Sequence, residues 1–215
     1  MRKFIDSFRG YALVLQLAAI VATAVLVLSG LDWKYFEVTR DPALFGVVIF
    51  AGIGGFLIPA LMPAALFLFG QARKQAQLVE LALLIVQAEI IAYLISIIYK
   101  AFTGRLQPNL VVGEVDISHA FHFGFLQNGI FWGWPSSHTI VAFAGAYVLA
   151  RSVRSRFLRA AVITYAIIIG FGASIGFHWL SDVVAGALIG VAVASVVHTS
   201  RERFSAIGPL GLREE

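Results

Sequence analysis

The chain has 215 residues, of which 60% are hydrophobic and 13% charged, with a formal net charge of +4 and no cysteine. Soluble domains run closer to about 45–50% apolar and about 25% charged residues. A water-soluble domain of any size is therefore excluded, and the lack of cysteine excludes disulfides and thiolate metal sites. What remains is an all-α polytopic bundle whose solvent is lipid.

Six apolar runs follow one another, each near the ~20 residues that a bilayer core requires. The first, Tyr11–Gly30, follows Arg2, Lys3 and Arg9 as a signal peptide would. It has no small-residue cleavage site and is long enough to span, so it is expected to be a retained helix. The second, Phe45–Gly70, carries Pro59 and Pro63, which free backbone groups and predict a kink. The third, Leu78–Tyr99, holds Glu89 at mid-membrane depth, where an acid is by default a functional candidate. It lies two to three turns from the end that bears the chemistry, is expected to face the bundle interior, and has Gln87 or another helix as a candidate partner. The fourth, Ser137–Ala150, is the shortest. Phe157–Ile175 and Leu180–His198 complete a six-helix bundle, one membrane-embedded domain over residues 1–215 with its motifs between 100 and 182.

If the six helices alternate, twelve of the sixteen basic residues fall on one side: Arg2, Lys3, Arg9, Arg73, Lys74, Arg151, Arg154, Arg156, Arg159, Arg201, Arg203 and Arg213. Only Lys34, Arg40, Lys100 and Arg105 fall on the other. The positive-inside rule then puts both termini in the cytoplasm. This placement explains the net charge through an anionic leaflet, with no nucleic-acid partner. The outer segments Leu31–Ala43, Ala101–Ser136 and Gly176–Ser181 lie around His119, His122, His138 and His178, four of the five histidines, with Asp182 at the start of the last helix.

Three stretches on that outer side carry chemistry. Lys100-Ala-Phe-Thr-Gly-Arg105-Leu-Gln-Pro108 leaves the third helix, Pro135-Ser136-Ser137-His138 opens the fourth, and Gly176-Phe-His178-Trp-Leu-Ser-Asp182 opens the sixth. Pro135 and the serines are good helix starters. The N–H groups of that first turn, at the positive end of the helix dipole, make an anion site. His178 and Asp182 are four apart and share a helix face. The carboxylate would hold one imidazole nitrogen and leave the other free to attack or to move a proton. Lys100 and Arg105 supply cations. Each histidine alone reads as an interfacial anchor, and Pro-Ser-Ser-His alone as a cap; the three stretches together suit phosphoryl transfer.

With these motifs the chain resembles the type-2 phosphatidic acid phosphatase family, membrane relatives of bacterial acid phosphatases and vanadium haloperoxidases, whose patterns are K-x6-R-P, P-S-G-H and S-R-x5-H-x3-D on a six-helix core. The resemblance implies His178 as a nucleophile forming a phosphohistidine, Asp182 as its orienting partner and His138 as the acid for the leaving alcohol. It implies Lys100, Ser136 and Ser137 as the phosphate cradle, with no metal and no cofactor. It also implies a lipid phosphate or diphosphate as substrate, met among membrane lipids at the extracytoplasmic face of the inner (cytoplasmic) membrane. The choice of lipid and the oligomeric state stay open.

Two departures stand out. Gln107 occupies the place of the first motif's arginine, and Phe171-Gly172 the place of Ser-Arg in the third. In the family both arginines grip the transferring phosphate, whose transition state spreads charge over its equatorial oxygens. A rebuilt grip drawing on Arg105, with His119 or His122, is expected. The competing reading is a member that binds a lipid phosphate without turning it over.

Two further patterns were weighed. Gly172-Ala-Ser174-Ile-Gly176 matches the nucleophile elbow of serine hydrolases, which would make an intramembrane serine hydrolase of the chain. That motif needs a strand–turn–helix, and this copy ends an apolar helix. Asp116, His119 and His122 read either as metal ligands or as part of an interfacial, aromatic-rich lip.

Overall fold

The computed structural model describes residues 2–108 and 115–207, with side chains described from residue 10 to 200. Among the described residues the chain is all-helical. The helices are α1 (Arg2–Leu28), α2 (Leu31–Thr39), α3 (Phe45–Ala72), α4 (Ala76–Thr103), α5 (Ser137–Ser152), α6 (Arg156–Gly176) and α7 (Leu180–Ile207), with a 3-10 turn at Pro42–Leu44. Five segments are long and apolar enough to cross a membrane: Gly10–Leu28, Pro42–Ala72, Ala76–Thr103, Arg156–Gly176 and Leu180–Ser200. The chain is a membrane protein by these helices. The fourth apolar run does not join them, because α5 has 16 residues, about 24 Å of helix against a core of about 30 Å.

One expectation needs correction. Leu31–Ala43 reads as an outer loop, yet most of it folds as α2, whose Asp32 and Phe36 are buried. α3 is one helix from Phe45 to Ala72 with both prolines inside it. Of the basic residues that oriented the bundle, Arg213 lies outside the described residues, as do the side chains of Arg2, Lys3, Arg9, Arg201 and Arg203.

The short helix sits at the centre. α5 packs on α4, α6, α7 and α3 through Ile140, Ala142, Ala144, Gly145, Ala146 and Val148. Small side chains let the backbones approach closely, which is how helices associate where lipid offers no hydrophobic drive. With Ile85, Ala88, Ala92, Trp134, Ala185, Ile189 and Val193 they form the core. The outer faces are the reverse of a soluble bundle's, with Leu13, Val21, Phe56, Leu61, Leu68, Phe157 and Ile167 exposed. An apolar skin of this extent marks a lipid-facing surface. Successive long helices run antiparallel, so the C-terminal ends of α4 and α6 meet the N-terminal ends of α5 and α7. The backbone bond Ser136 N to Asp182 O (3.0 Å) ties the starts of α5 and α7 together.

Candidate active site

At that shared end a cavity of about 790 Å3 opens, with Lys100, Ser137, His138 and His178 in its wall. Each arrives from a different local cause. Lys100 stands in the last turn of α4, which Gly104 ends in a left-handed conformation (φ 49°). Ser136 caps α5, its hydroxyl accepting from Thr139 N (3.4 Å). That hydroxyl is spent inside the helix start, so Ser136 is fully buried and outside the cavity wall, while Ser137 and His138 face the space. The first N–H groups of α5 have no partner within their own helix and bring the positive end of its dipole to the same place.

Lys100 Nζ, 2% exposed, donates to Ser137 Oγ (2.7 Å) and to Phe131 O (3.2 Å). Ser137 Oγ also bonds Ser96 Oγ (2.9 Å). His138 stacks on Phe177, with ring centroids 5.9 Å apart, and its Nδ1 is buried without a hydrogen-bond partner. His178 lies between α6 and α7, with Nδ1 3.3 Å from Asp182 Oδ2. Its other ring nitrogen is thereby left for chemistry. Burial holds the imidazole below its ordinary pKa of 6.5, and the charges of Lys100 and Arg105 push the same way, against the hydrogen bond and charge of Asp182. Burial and the two cations thus favour the neutral ring.

Behind His178 lies a network that the motifs do not announce. Asp182 accepts from Trp179 N (3.2 Å) and from Arg105. Arg105 is fully buried and spends every donor it shows: on Asp182, on Asp32 Oδ2 (2.7 Å), on Ser181 Oγ (2.7 Å) and on Ser118 O (3.0 Å from Nε). Asp32, reaching in from α2, also accepts from Ser181 N (2.8 Å) and Ser181 Oγ (2.5 Å). The guanidinium sits over the rings of Phe121 (4.7 Å) and Trp179 (5.7 Å). Arg105 thus braces Asp182 from behind and does not line the cavity.

The two departures from the family pattern also acquire places. Gln107 reaches the same imidazole: its side-chain amide lies 2.9 Å from His178 Nδ1, the atom that Asp182 also faces, and 2.9 Å from Gly133 N. Gly172 lies against α3, where a Cβ would meet Val47 O at 2.7 Å and the Cβ of Ala51. No arginine fits there. His119 and His122 are exposed, and neither lines the cavity; His119 Nδ1 lies 3.9 Å from Asp116 Oδ1. Among the described residues no group of three His, Cys, Asp or Glu is placed to hold a metal. Ser174 bonds Tyr35 Oη (2.7 Å) and Phe171 O (2.7 Å), and no histidine is among those partners.

Lys100, Ser137, His138 and His178, with Asp182 one bond behind, form one site; Arg105 and Ser136 support it from outside the wall. Asp32 and Ser181 were not singled out by the sequence reading. The signal available was Asp32 itself, a carboxylate two residues past the end of an apolar run, on the same side as the histidines.

A sequence model described as PAP2 superfamily matches residues 79–205, more than half of the chain, from early α4 into α7. No curated protein and no solved structure matches the chain.

Proposed function

The chain belongs to the PAP2 superfamily, whose members are phosphatases of phosphate esters, and on that premise we propose that it hydrolyses a lipid phosphate or diphosphate at the extracytoplasmic membrane surface through a phosphohistidine. One observation carries the reading: a histidine of α5 and a histidine of the α6–α7 connection line one cavity with a buried lysine and a helix N-terminus.

In the first step the free nitrogen of His178 attacks phosphorus and the bond to the leaving oxygen breaks. His138 gives that oxygen its proton. In the second, His138 takes a proton from water, the hydroxide displaces His178, and inorganic phosphate leaves. Asp182 holds the Nδ1–H of His178 and stabilises the charge on the phosphorylated ring. Lys100, Ser137 and the N–H groups of α5 hold the equatorial oxygens. Asp32 and Arg105 act through Asp182 as positioning residues. No step of this route calls on a metal.

Support for a lipid comes from the rest of the cavity. Away from the histidines it continues between α3 and α4, walled by Phe56, Ala60, Val86, Ile90 and Leu94. A phosphate at Lys100 would leave its tail in that groove. We read α5 as a sixth, short span within one membrane domain, because it runs antiparallel to both its chain neighbours; the basic residues then put both termini in the cytoplasm. The aromatic segment with Phe123, Phe125, Phe131 and Trp132 exposed is read as a lip resting on membrane lipids beside the groove.

The test is phosphate release by the purified protein from phosphatidic acid, phosphatidylglycerophosphate and a polyprenyl diphosphate, with His178→Ala alongside. Release by the wild type and an acid-labile, base-stable phosphoenzyme are expected. Release no greater than that of His178→Ala on all three would transfer the case to the second reading, a lipid-phosphate binder. That reading draws on one observation: Arg105 is committed behind Asp182 and position 172 to helix packing, which leaves Lys100 as the cation in the cavity wall.

A further inference from the structure

The catalytic steps leave one group unused. Glu89, midway along α4, is 7% exposed and lines the same cavity as His138 and His178. It also lines a second cavity of about 190 Å3 on its other side, and Pro59 and Glu89 belong to both walls. The carboxyl group has no hydrogen-bond or ion-pair partner among the described residues. Its seat is built: Oε1 lies in a notch of α5 that any side-chain carbon at Gly145 would fill. Leaving such a group unpaired in an apolar interior is costly, and acids at that depth persist where they serve a ligand or a pathway.

Opposite Glu89, α3 contributes acceptors. Pro59 and Pro63 have no N–H, so the carbonyls of Gly55 and Pro59, four residues before each, lose their helical donors. Gly55, Pro59 and Pro63 all line the larger cavity. Glu89 and the α3 residues whose carbonyls lack helical donors thus wall the same, otherwise apolar groove. Glu89 precedes Lys100 by eleven residues of one helix, which is about 16 Å along the axis.

We propose that Glu89, with the freed carbonyls of α3, forms a polar subsite for a hydroxyl group borne partway along the tail of the phosphate-bearing lipid. A hydroxyl is favoured because it both donates and accepts. It therefore pairs with a carboxyl group in either protonation state, and when it accepts from the protonated acid its one O–H is left to donate to a carbonyl. This inference rests on the reading of the cavity as a lipid-phosphate site and narrows the lipid to one hydroxylated in its chain.

The experiment uses phosphatidic acids that differ only in a chain hydroxyl, absent or stepped along one acyl chain, presented in detergent micelles to the full chain. Wild type is expected to favour one hydroxyl position by about three- to tenfold in kcat/KM, the span of one net hydrogen bond. Glu89→Gln, whose amide also donates and accepts, keeps a preference, and Glu89→Ala loses it without a lower melting temperature. No preference at any position, or a preference that survives Glu89→Ala, overturns the proposal. If no lipid of the series is cleaved, the phosphatase reading fails separately, and the subsite is read from melting shifts of the uncleaved lipids. A larger shift with the hydroxylated lipid, lost in Glu89→Ala, then supports it, and equal shifts sink it.

Discussion

His178 is held by three kinds of neighbour with opposing effects. Burial and the cations Lys100 and Arg105 keep its ring neutral, while Asp182 favours the charged form. In the proposed mechanism neutral imidazole is the nucleophile, so activity would be lost when the ring protonates. The acid limb of kcat/KM is expected below pH 6.5, the ordinary value. Asp182→Asn removes the group that raises the pKa, so it should move that limb to still lower pH while cutting kcat by at least about a hundredfold, the scale of an acid–base partner. A limb above pH 6.5, or one unmoved in the variant, would count against His178 as nucleophile. The same scale separates the two cations. Lys100→Ala should weaken turnover and spare the fold. Arg105→Ala leaves Asp32 and Asp182 without their shared cation and should cost about 3–5 kcal/mol of stability, read as a lower melting temperature in detergent. Asp32→Asn keeps the shape of that network and removes one charge, so kcat should fall more than stability.

At the scale of elements, α2 and α6 carry what the motifs omit. α2 is docked by Asp32 on the start of α7 and by Phe36, whose ring meets Trp179 edge-on at 5.5 Å. A nine-residue helix is thereby part of the support for the Asp182 carboxylate. α6 meets α3 at Gly172, where the family pattern has arginine. Restoring it, Gly172→Arg, is expected to lower the melting temperature and to abolish activity, because the side chain meets the Val47 carbonyl and Ala51 before it reaches the cavity. A variant that folds normally and is faster than wild type would show that α3 yields. α5 is short for a span because both its ends are claimed, by the cap at Ser136 and by the break at Val153.

The number of spans is a property of the whole molecule, and its parity is testable. Six spans place both termini on one side of the membrane, whereas the five long apolar segments alone would place them on opposite sides. Reporter tags at the two ends should therefore be accessible from the same, cytoplasmic, face. Since the chain has no cysteine, single cysteines at Glu37 and Arg154 should label from opposite faces with an impermeant reagent. Chelators should leave phosphate release unchanged if the proposed route, which uses no metal, holds; loss with EDTA and recovery with a divalent cation would redirect attention to Asp116 and His119.

The sequence by itself determined the membrane class, the positions of the long helices, the family and the ordered set His138, His178 and Asp182. Apolar runs act locally and the three residues lie in short stretches, so composition and spacing suffice to read them, although His178 lies just before α7 and not on it. It also located the two missing arginines, at Gln107 and Gly172. It did not reveal where Arg105 points, that Asp32 shares it with Asp182, that Gly172 is a packing contact, or that α2 is a helix. The network of Arg105, Asp32 and Asp182 depends on pairs separated by 73, 77 and 149 positions in the chain, and no local pattern records which partner a buried charge will find. The physical reason is that a guanidinium out of water must satisfy all its donors. Only the assembled bundle decides which carboxylates are within its reach, and here they lie behind His178, away from the cavity.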